Sequence, residues 1–349
     1  MPLVPIGTLI RPGRGLGAFN VVSLEHAEAV VAGAEAAGLP VVLQISHNCV
    51  RFHGGRLRPV ARAAAAVAEG STARVALHLD HVEDEALLHQ AADAGFGSAM
   101  FDASGLPYAR NVAATRAAAG WAHAHGLWLE AELGEIGGKA GGTAVGAAGG
   151  AAGGTAGGTP GGTAGGTAGG KSGSTAGGAA GGAAGGTAGG VAGGLAGGTA
   201  GGTPGAHSPQ ARTDPAQALD FVTATGVDAL AVAVGSTHAM TTRTAELDQD
   251  LIVRLHAAVP VPLVLHGSSG VPDGELRRAV RHGIAKVNIG TALNLAFTGA
   301  VRQRLAADPA VTDPRRYLAP ARDAMAAAVA RLLGVLALGD RDLTEHDIA

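Results

Sequence analysis

Eight short apolar runs, alternating with Ala-rich stretches of helical character, constrain this chain more than any other feature. The runs are LGAFNVV (16–22), VVLQIS (41–46), VALHLD (75–80), SAMFDA (98–103), LWLEAEL (127–133), ALAVAV (229–234), PLVLHG (262–267) and KVNIG (286–290). Each carries β-branched residues or is bounded by Gly, Pro or Asp, as strands are. Residues 26–37, 59–69, 83–94, 109–125, 215–225 and 273–282 read as helices. Two of these open with capping patterns, Asp214 before Pro215 and Ser23 three residues before His26. Strands separated by helices need right-handed crossovers and therefore a parallel sheet, and eight such units close into an α/β fold, the (β/α)8 or TIM barrel. A doubly wound open sheet is the alternative. It fits less well because polar residues (Asn20, Ser46, Asp80, Asp102, Glu132, His266, Asn288) recur at strand ends all round the series rather than at one switch point. A further long helix in the tail after Asp313 reads as a cover for the barrel or as an oligomer contact.

One stretch stands outside this pattern. From Gly149 to Pro204 the chain repeats GGTA and its variants with period four, and 141–205 as a whole is almost pure Gly, Ala and Thr. Glycine at half the positions maximises the entropy lost on ordering, and one charge (Lys171) with two larger apolar residues (Val191, Leu195) offers little to offset it. The expectation is therefore one barrel domain over 1–349, interrupted after its fifth strand by a disordered low-complexity insertion at 141–205. Lengthening a loop from about 15 to about 70 residues costs only about 1.4 kcal/mol in closure entropy, which a barrel tolerates. The GGKSG within the repeat imitates a phosphate loop, but no strand feeds it and no helix follows it.

Composition removes several classes of function. The net charge of −3 is spread along the chain, so the field that draws nucleic acid or anionic lipid is missing. No apolar run reaches the roughly 18 residues needed to span a bilayer, and the N-terminus lacks the apolar core of a signal peptide. A lone cysteine, Cys49, excludes an internal disulfide framework and suits a reducing compartment; it reads as a small apolar residue rather than a nucleophile. A soluble cytoplasmic protein without nucleic-acid or membrane partners is expected.

The chemistry gathers at strand ends. Among 14 histidines, His81, His238 and His266 share a location at the ends of strands three, six and seven. In a parallel barrel those ends face one pocket, where three imidazoles and an open position make a catalytic zinc site; each alone also reads as an ordinary polar strand-end residue. Asp80, beside His81, reads either as a general acid or base or as a carboxylate that orients the ligand. The turn Gly267–Ser268–Ser269 leads into a helix, and Asn288–Ile289–Gly290–Thr291 forms a second strand-to-helix turn. Together, after the last two strands, they point to a phosphorylated substrate. Lys286, the candidate for Schiff-base chemistry, reads as a surface lysine at a strand start.

These stretches, AFNV, VALHLDH, GFGSAMFDAS, LWLEAELGEIGG, TGVDALAVAVGSTHAM, VPLVLHGSSGVPD and KVNIGTAL, resemble in order those of the class II, zinc-dependent ketose-bisphosphate aldolases, the fructose- and tagatose-bisphosphate type. The resemblance covers nearly everything outside the glycine repeat. It implies one zinc ion per chain on His81, His238 and His266, with Asp80 as proton donor to the substrate C4 oxygen. It also implies that Gly267, Ser269, Gly290 and Thr291 hold the phosphate of the dihydroxyacetone phosphate half, with Asn288 on its hydroxyl. Asp102 and Glu132 match positions that hold a displaced or second metal, and equally read as supporting carboxylates at the barrel mouth. A monovalent cation is a further candidate, and a homodimer or homotetramer is the implied assembly.

Two residues depart from the family pattern. Its loop after the fifth strand supplies a glutamate that moves the C3 proton, whereas here Gly137 and Gly138 are followed by Lys139 and no acidic residue until Asp214. Ala239 stands where glycine usually follows the ligand histidine. These departures keep two other readings open, a non-catalytic or regulatory paralogue and a different phosphosugar metalloenzyme on the same barrel.

Overall fold

A computed structural model describes residues 3–133 and 211–338. Its elements run β1 (Leu16–Asn20), α1 (Leu24–Ala37), β2 (Val41–Ser46), α2 (His47–Phe52), α3 (Leu57–Glu69), β3 (Val75–Val82), α4 (Glu85–Asp93), β4 (Ser98–Phe101), α5 (Tyr108–Ala124), β5 (Trp128–Glu132), α6 (Pro215–Thr225), β6 (Ala229–Ala231), α7 (Gln249–Ala258), β7 (Leu263–Leu265), α8 (Asp273–Arg281), β8 (Ile284–Ile289), α9 (Thr291–Ala307) and α10 (Arg315–Leu336). The eight strands are all parallel and close in sequence order, with β1 paired to β8 as well as to β2. This is the (β/α)8 barrel expected from the alternating runs. The described residues all belong to one compact unit. The GGTA repeat and the segment expected to be disordered lie outside the described residues.

Strand alternation sorts the side chains into two cores. One parity, including Phe19, Leu43, Leu77, Leu79, Leu129, Leu265 and Val287, packs outward with helix residues such as Ala27, Val30 and Leu88. The other parity points into the barrel. Leu16, Ala18, Val42 and Ala76 form an apolar floor there, closed from below by Ile6 and Leu9 of the N-terminal segment. Higher along the same strands the inward positions turn polar, and the site is built on them.

Helix starts follow the capping chemistry in part. Asp214 caps α6, its side chain accepting from the Gln217 N–H, and Ser46 caps α2 by accepting from Cys49. Ser23 does stand at the start of α1, but its hydroxyl makes no bond to the helix backbone. It bonds Glu25 and the ring of His26 instead. Cys49 is buried, which pushes its thiol up to about 11 and removes the thiolate at neutral pH. Among the described residues no helix is long and apolar enough to cross a membrane.

Candidate active site

The HLDH tetrad ends β3 with an irregularity that decides what the site can do. By alternation, His78 and Asp80 face inward while His81 would follow Leu79 outward. The pairing of β3 with β4 shifts register between Leu79 and Val82, and His81 takes a left-handed backbone, φ 50°. Such a bulge re-aims a side chain, and in a non-glycine residue it stores strain of the kind found at functional positions. The result brings the imidazole of His81 over the barrel mouth. Its Nδ1 lies 2.8 Å from Asp102 Oδ2 and its Nε2 3.1 Å from His266 Nδ1.

His266 follows β7 and is fully buried. His238 arrives from the loop after β6, its ring centroid 5.3 Å from that of His81 and 5.8 Å from that of His266. That approach depends on Gly267. Its φ is 65°, and a Cβ there would meet the backbone of Thr237 at 2.6 Å, so only glycine lets the two loops pass. Ser236 fastens the same crossing by donating to the carbonyl of His266 at 2.6 Å. Ala239, beside the ligand candidate, also has a left-handed backbone, φ 61°.

One nitrogen from each of the three rings falls within 4.8 Å of the others. Tetrahedral ligands about 2.05 Å from zinc stand about 3.3 Å apart, close to the 3.1 Å between His81 and His266. Three imidazole nitrogens, which ligate as neutral rings, fit a borderline-soft divalent ion. His81, Asp102 and Glu132 form a second such group, also within 4.8 Å, so the two carboxylates singled out from sequence do stand where a shared or displaced ion could be held.

Around the imidazoles lies a buried polar layer. Gln44 on β2 donates to Asp80 Oδ2 at 3.0 Å and to Asn20 at 2.9 Å, and Asn288 on β8 donates to Asp80 Oδ1 at 3.5 Å. Burial raises the proton affinity of Asp80, against the pull of the His81 and Lys286 charges toward the carboxylate. Burial likewise holds His78 well below the usual imidazole range, reinforced by the charge of Lys286. Lys286 is not the surface lysine expected. β8 begins at Ile284, so Lys286 lies inside the strand on the parity of Asn288, fully buried, with Nζ 2.7 Å from Glu130 Oε2. Glu130 in turn approaches His266 Nε2 at 2.9 Å. The buried atoms Gln44 Oε1, His78 Nε2 and Asn288 Oδ1 have no hydrogen-bond partner among the described residues.

The two glycine turns adjoin this layer. Ser268–Gly270 forms a 3-10 turn after Gly267; the Ser268 hydroxyl donates to the Asn288 carbonyl at 2.5 Å, and Ser269 Oγ accepts from the Ala292 N–H at 3.1 Å. Gly290 stands at the N-terminus of α9, where a Cβ would come within 3.1 Å of Asn20, and Thr291 opens the helix. Together the turns join the β7 and β8 ends, an N-terminal helix end between them favouring an anion. Because the Ser268 hydroxyl is already engaged, what that residue offers an anion is its backbone.

The structure thus brings together Asp80, His81, Asp102, Glu132, His238, His266 and Asn288, whereas Ser46 is spent on a cap. The loop from 134 to 210, where the family's mobile base would be sought, lies outside the described residues. From sequence alone Gln44, His78 and Glu130 have no role and Lys286 reads as a surface residue. Their signal was alternation: His78, Glu130 and Lys286 each stand two residues before a recognised site residue, hence on the same strand face.

A sequence profile of the family described as fructose-bisphosphate aldolase class-II matches residues 10–155 and 186–341. A fructose-bisphosphate aldolase from Geobacillus stearothermophilus is 31% identical over 322 residues, covering 92% of this chain and 90% of the relative. Among solved structures, the YdjI aldolase from Escherichia coli K12 has a TM-score of 0.64 at 24% identity, covering 93% of this chain and 91% of its own. A fructose-bisphosphate aldolase from Campylobacter jejuni has the same TM-score at 19% identity, covering 93% and 90%. Likeness at these last two levels of identity establishes the fold.

Proposed function

We propose a reaction on the premise that the chain belongs to the class-II fructose-bisphosphate aldolase family, which makes it an aldolase and hence a lyase. The reading is reversible, zinc-dependent cleavage of a ketose 1,6-bisphosphate, of the fructose or tagatose type, to dihydroxyacetone phosphate and glyceraldehyde 3-phosphate. The observation that carries it is the convergence of three imidazole nitrogens beside a buried carboxyl of raised proton affinity, at the barrel end that also holds two glycine turns. Family membership favours this over the regulatory and alternative-metalloenzyme readings.

His81, His238 and His266 would hold the zinc, which when bound supplies Lewis-acid stabilisation of the negative charge that develops on substrate oxygen. The rest of the work falls to the chain. The backbone of Gly267, Ser268, Ser269, Ile289, Gly290 and Thr291 seats the phosphate at the α9 N-terminus. Asn288, whose Oδ1 has no hydrogen-bond partner among the described residues, reaches the hydroxyl of the dihydroxyacetone half. In cleavage Asp80 takes the proton of the C4 hydroxyl as the C3–C4 bond breaks and the bonding pair stays with C3. In condensation it returns that proton to the C4 oxygen, for which burial suits it. The pair at C3 is then protonated, and between Gly138 and Asp214 no acidic side chain offers that proton. A monovalent cation near the phosphate and assembly as a dimer or tetramer stand with the same proposal.

Metal analysis joined to a coupled assay for dihydroxyacetone phosphate tests the reading. The expected result is about one zinc per chain, release from one or both ketose bisphosphates, and loss of activity on chelation. Full activity in a metal-free preparation would refute the metal assignment; zinc without release from either sugar would refute the substrate class.

A further inference from the structure

We infer that Glu130 and Lys286, a buried pair that spans the barrel interior from β5 to β8, are positioning residues that hold the His266 ring with Nδ1 turned toward the metal pocket. The inference rests on the reading of His266 as a ligand and assigns a purpose to two charges that the reaction itself does not use.

Both side chains are fully excluded from solvent. A buried ion pair is commonly no more stabilising than apolar residues of the same size, because two desolvation costs stand against one attraction. A pair kept in such a place invites a reason other than stability, and the geometry supplies one. Glu130 Oε2 accepts from Lys286 Nζ at 2.7 Å, which leaves Oε1 directed at His266 Nε2, 2.9 Å away. An imidazole has two nitrogens, and the neutral ring carries its proton on one of them. With Nε2–H donated to the carboxylate, the lone pair sits on Nδ1, the atom that stands 3.1 Å from His81 Nε2 inside the cluster. A carboxylate on the far nitrogen of a ligating histidine fixes both tautomer and ring orientation.

Asn288 Nδ2 lies 3.0 Å from His266 Nε2 and 3.5 Å from Asp80 Oδ1. As a donor it has the Asp80 carboxylate to serve, so the acceptor for an Nε2 proton is Glu130 Oε1, 2.9 Å away. His78 approaches Glu130 Oε2 only to 4.0 Å and is held from its other side by Ser98. Lys286 is therefore the group that holds the second oxygen of Glu130, and through it the ring.

The test uses the full-length chain loaded with zinc. Glu130→Leu combined with Lys286→Met replaces the pair by apolar groups of similar size and is expected to fold as well as the unaltered protein by thermal denaturation. Zinc affinity, read by competition with a chromogenic chelator, should fall about 10–100-fold. A downfield, exchange-protected Nε2 proton on His266, assigned by its absence in His266→Ala, should be lost. Glu130→Gln with Lys286→Met keeps a neutral acceptor and should retain the ring proton and most of the affinity. The inference is overturned if the Leu/Met chain binds zinc as tightly as the unaltered protein, if both double variants lose affinity alike, or if the unaltered ring carries its proton on Nδ1. A His266→Ala chain with undiminished zinc affinity would instead overturn the ligand assignment, while the ring proton still reports whether Glu130 holds Nε2.

Discussion

The floor and the mouth of the barrel are built on the same strands by opposite means. At the floor Leu16, Ala18, Val42 and Ala76 meet Ile6 and Leu9 in contacts that have no direction. At the mouth Gln44, Asp80, Glu130, His266, Lys286 and Asn288 are joined by hydrogen bonds that have one. Dispersion and hydrophobic burial tolerate a change of side chain if volume is kept, whereas a buried polar network penalises the loss of any member by stranding its partner. Of the three described non-glycine residues with a left-handed backbone, two, His81 and Ala239, belong to the mouth, and the third, Leu338, follows α10. The floor holds the fold together; the mouth uses part of that stability to keep reactive groups in place.

The sharpest way to break this contrast is at Asp80. Asp80→Asn keeps the volume and much of the bonding to Gln44 but removes the group that exchanges a proton. Turnover should drop by roughly two to four decades, with zinc content and melting temperature near those of the unaltered protein. Loss of zinc in this variant would move Asp80 from proton transfer to support of His81. The matching floor variant, Leu16→Ala, should do the reverse. Deleting a buried leucine costs about 2–5 kcal/mol, read as a lower denaturation midpoint, while turnover per folded molecule stays within a few-fold. A large change in turnover there would show that floor and mouth are coupled more tightly than their separate bonding implies.

Much of this was legible before the structure. The eight runs located all eight strands, because a parallel sheet covered by helices needs apolar residues on its outer face and short connections between elements. The histidines and Asp80 were legible because strand ends in such a barrel share one pocket. Less legible was the parity of each polar residue. His81 reads as outward by alternation and is turned inward by a bulge that no residue type announces. Lys286 reads as a surface residue when β8 is started two residues late, since its buried partner Glu130 is 156 residues away. Ser23 stands where a cap would, but its hydroxyl donates to Glu25 and meets the His26 ring instead of accepting from the helix backbone. Local pattern specifies elements; long-range pairing decides which way a charged side chain turns, and the sequence carries that only implicitly.

The smallest expected effect tests whether the mouth's strain is real. At φ 61° the methyl of Ala239 crowds its own backbone, a cost of about 1–2 kcal/mol for an L residue in that region. Ala239→Gly removes this, but it also frees the unfolded chain, which offsets about 0.4–1 kcal/mol. The balance favours glycine by up to about 1 kcal/mol, so in a domain of this size the melting temperature should rise by roughly 1–4 °C. Zinc affinity and turnover should remain within a few-fold, because the backbone that carries His238 already has the conformation glycine prefers. A fall in melting temperature would mean that the methyl contributes packing worth more than the strain it costs. Ala239 would then belong with the floor, as a residue kept for contacts, rather than with His81, whose strained backbone is tied to where its ring must point.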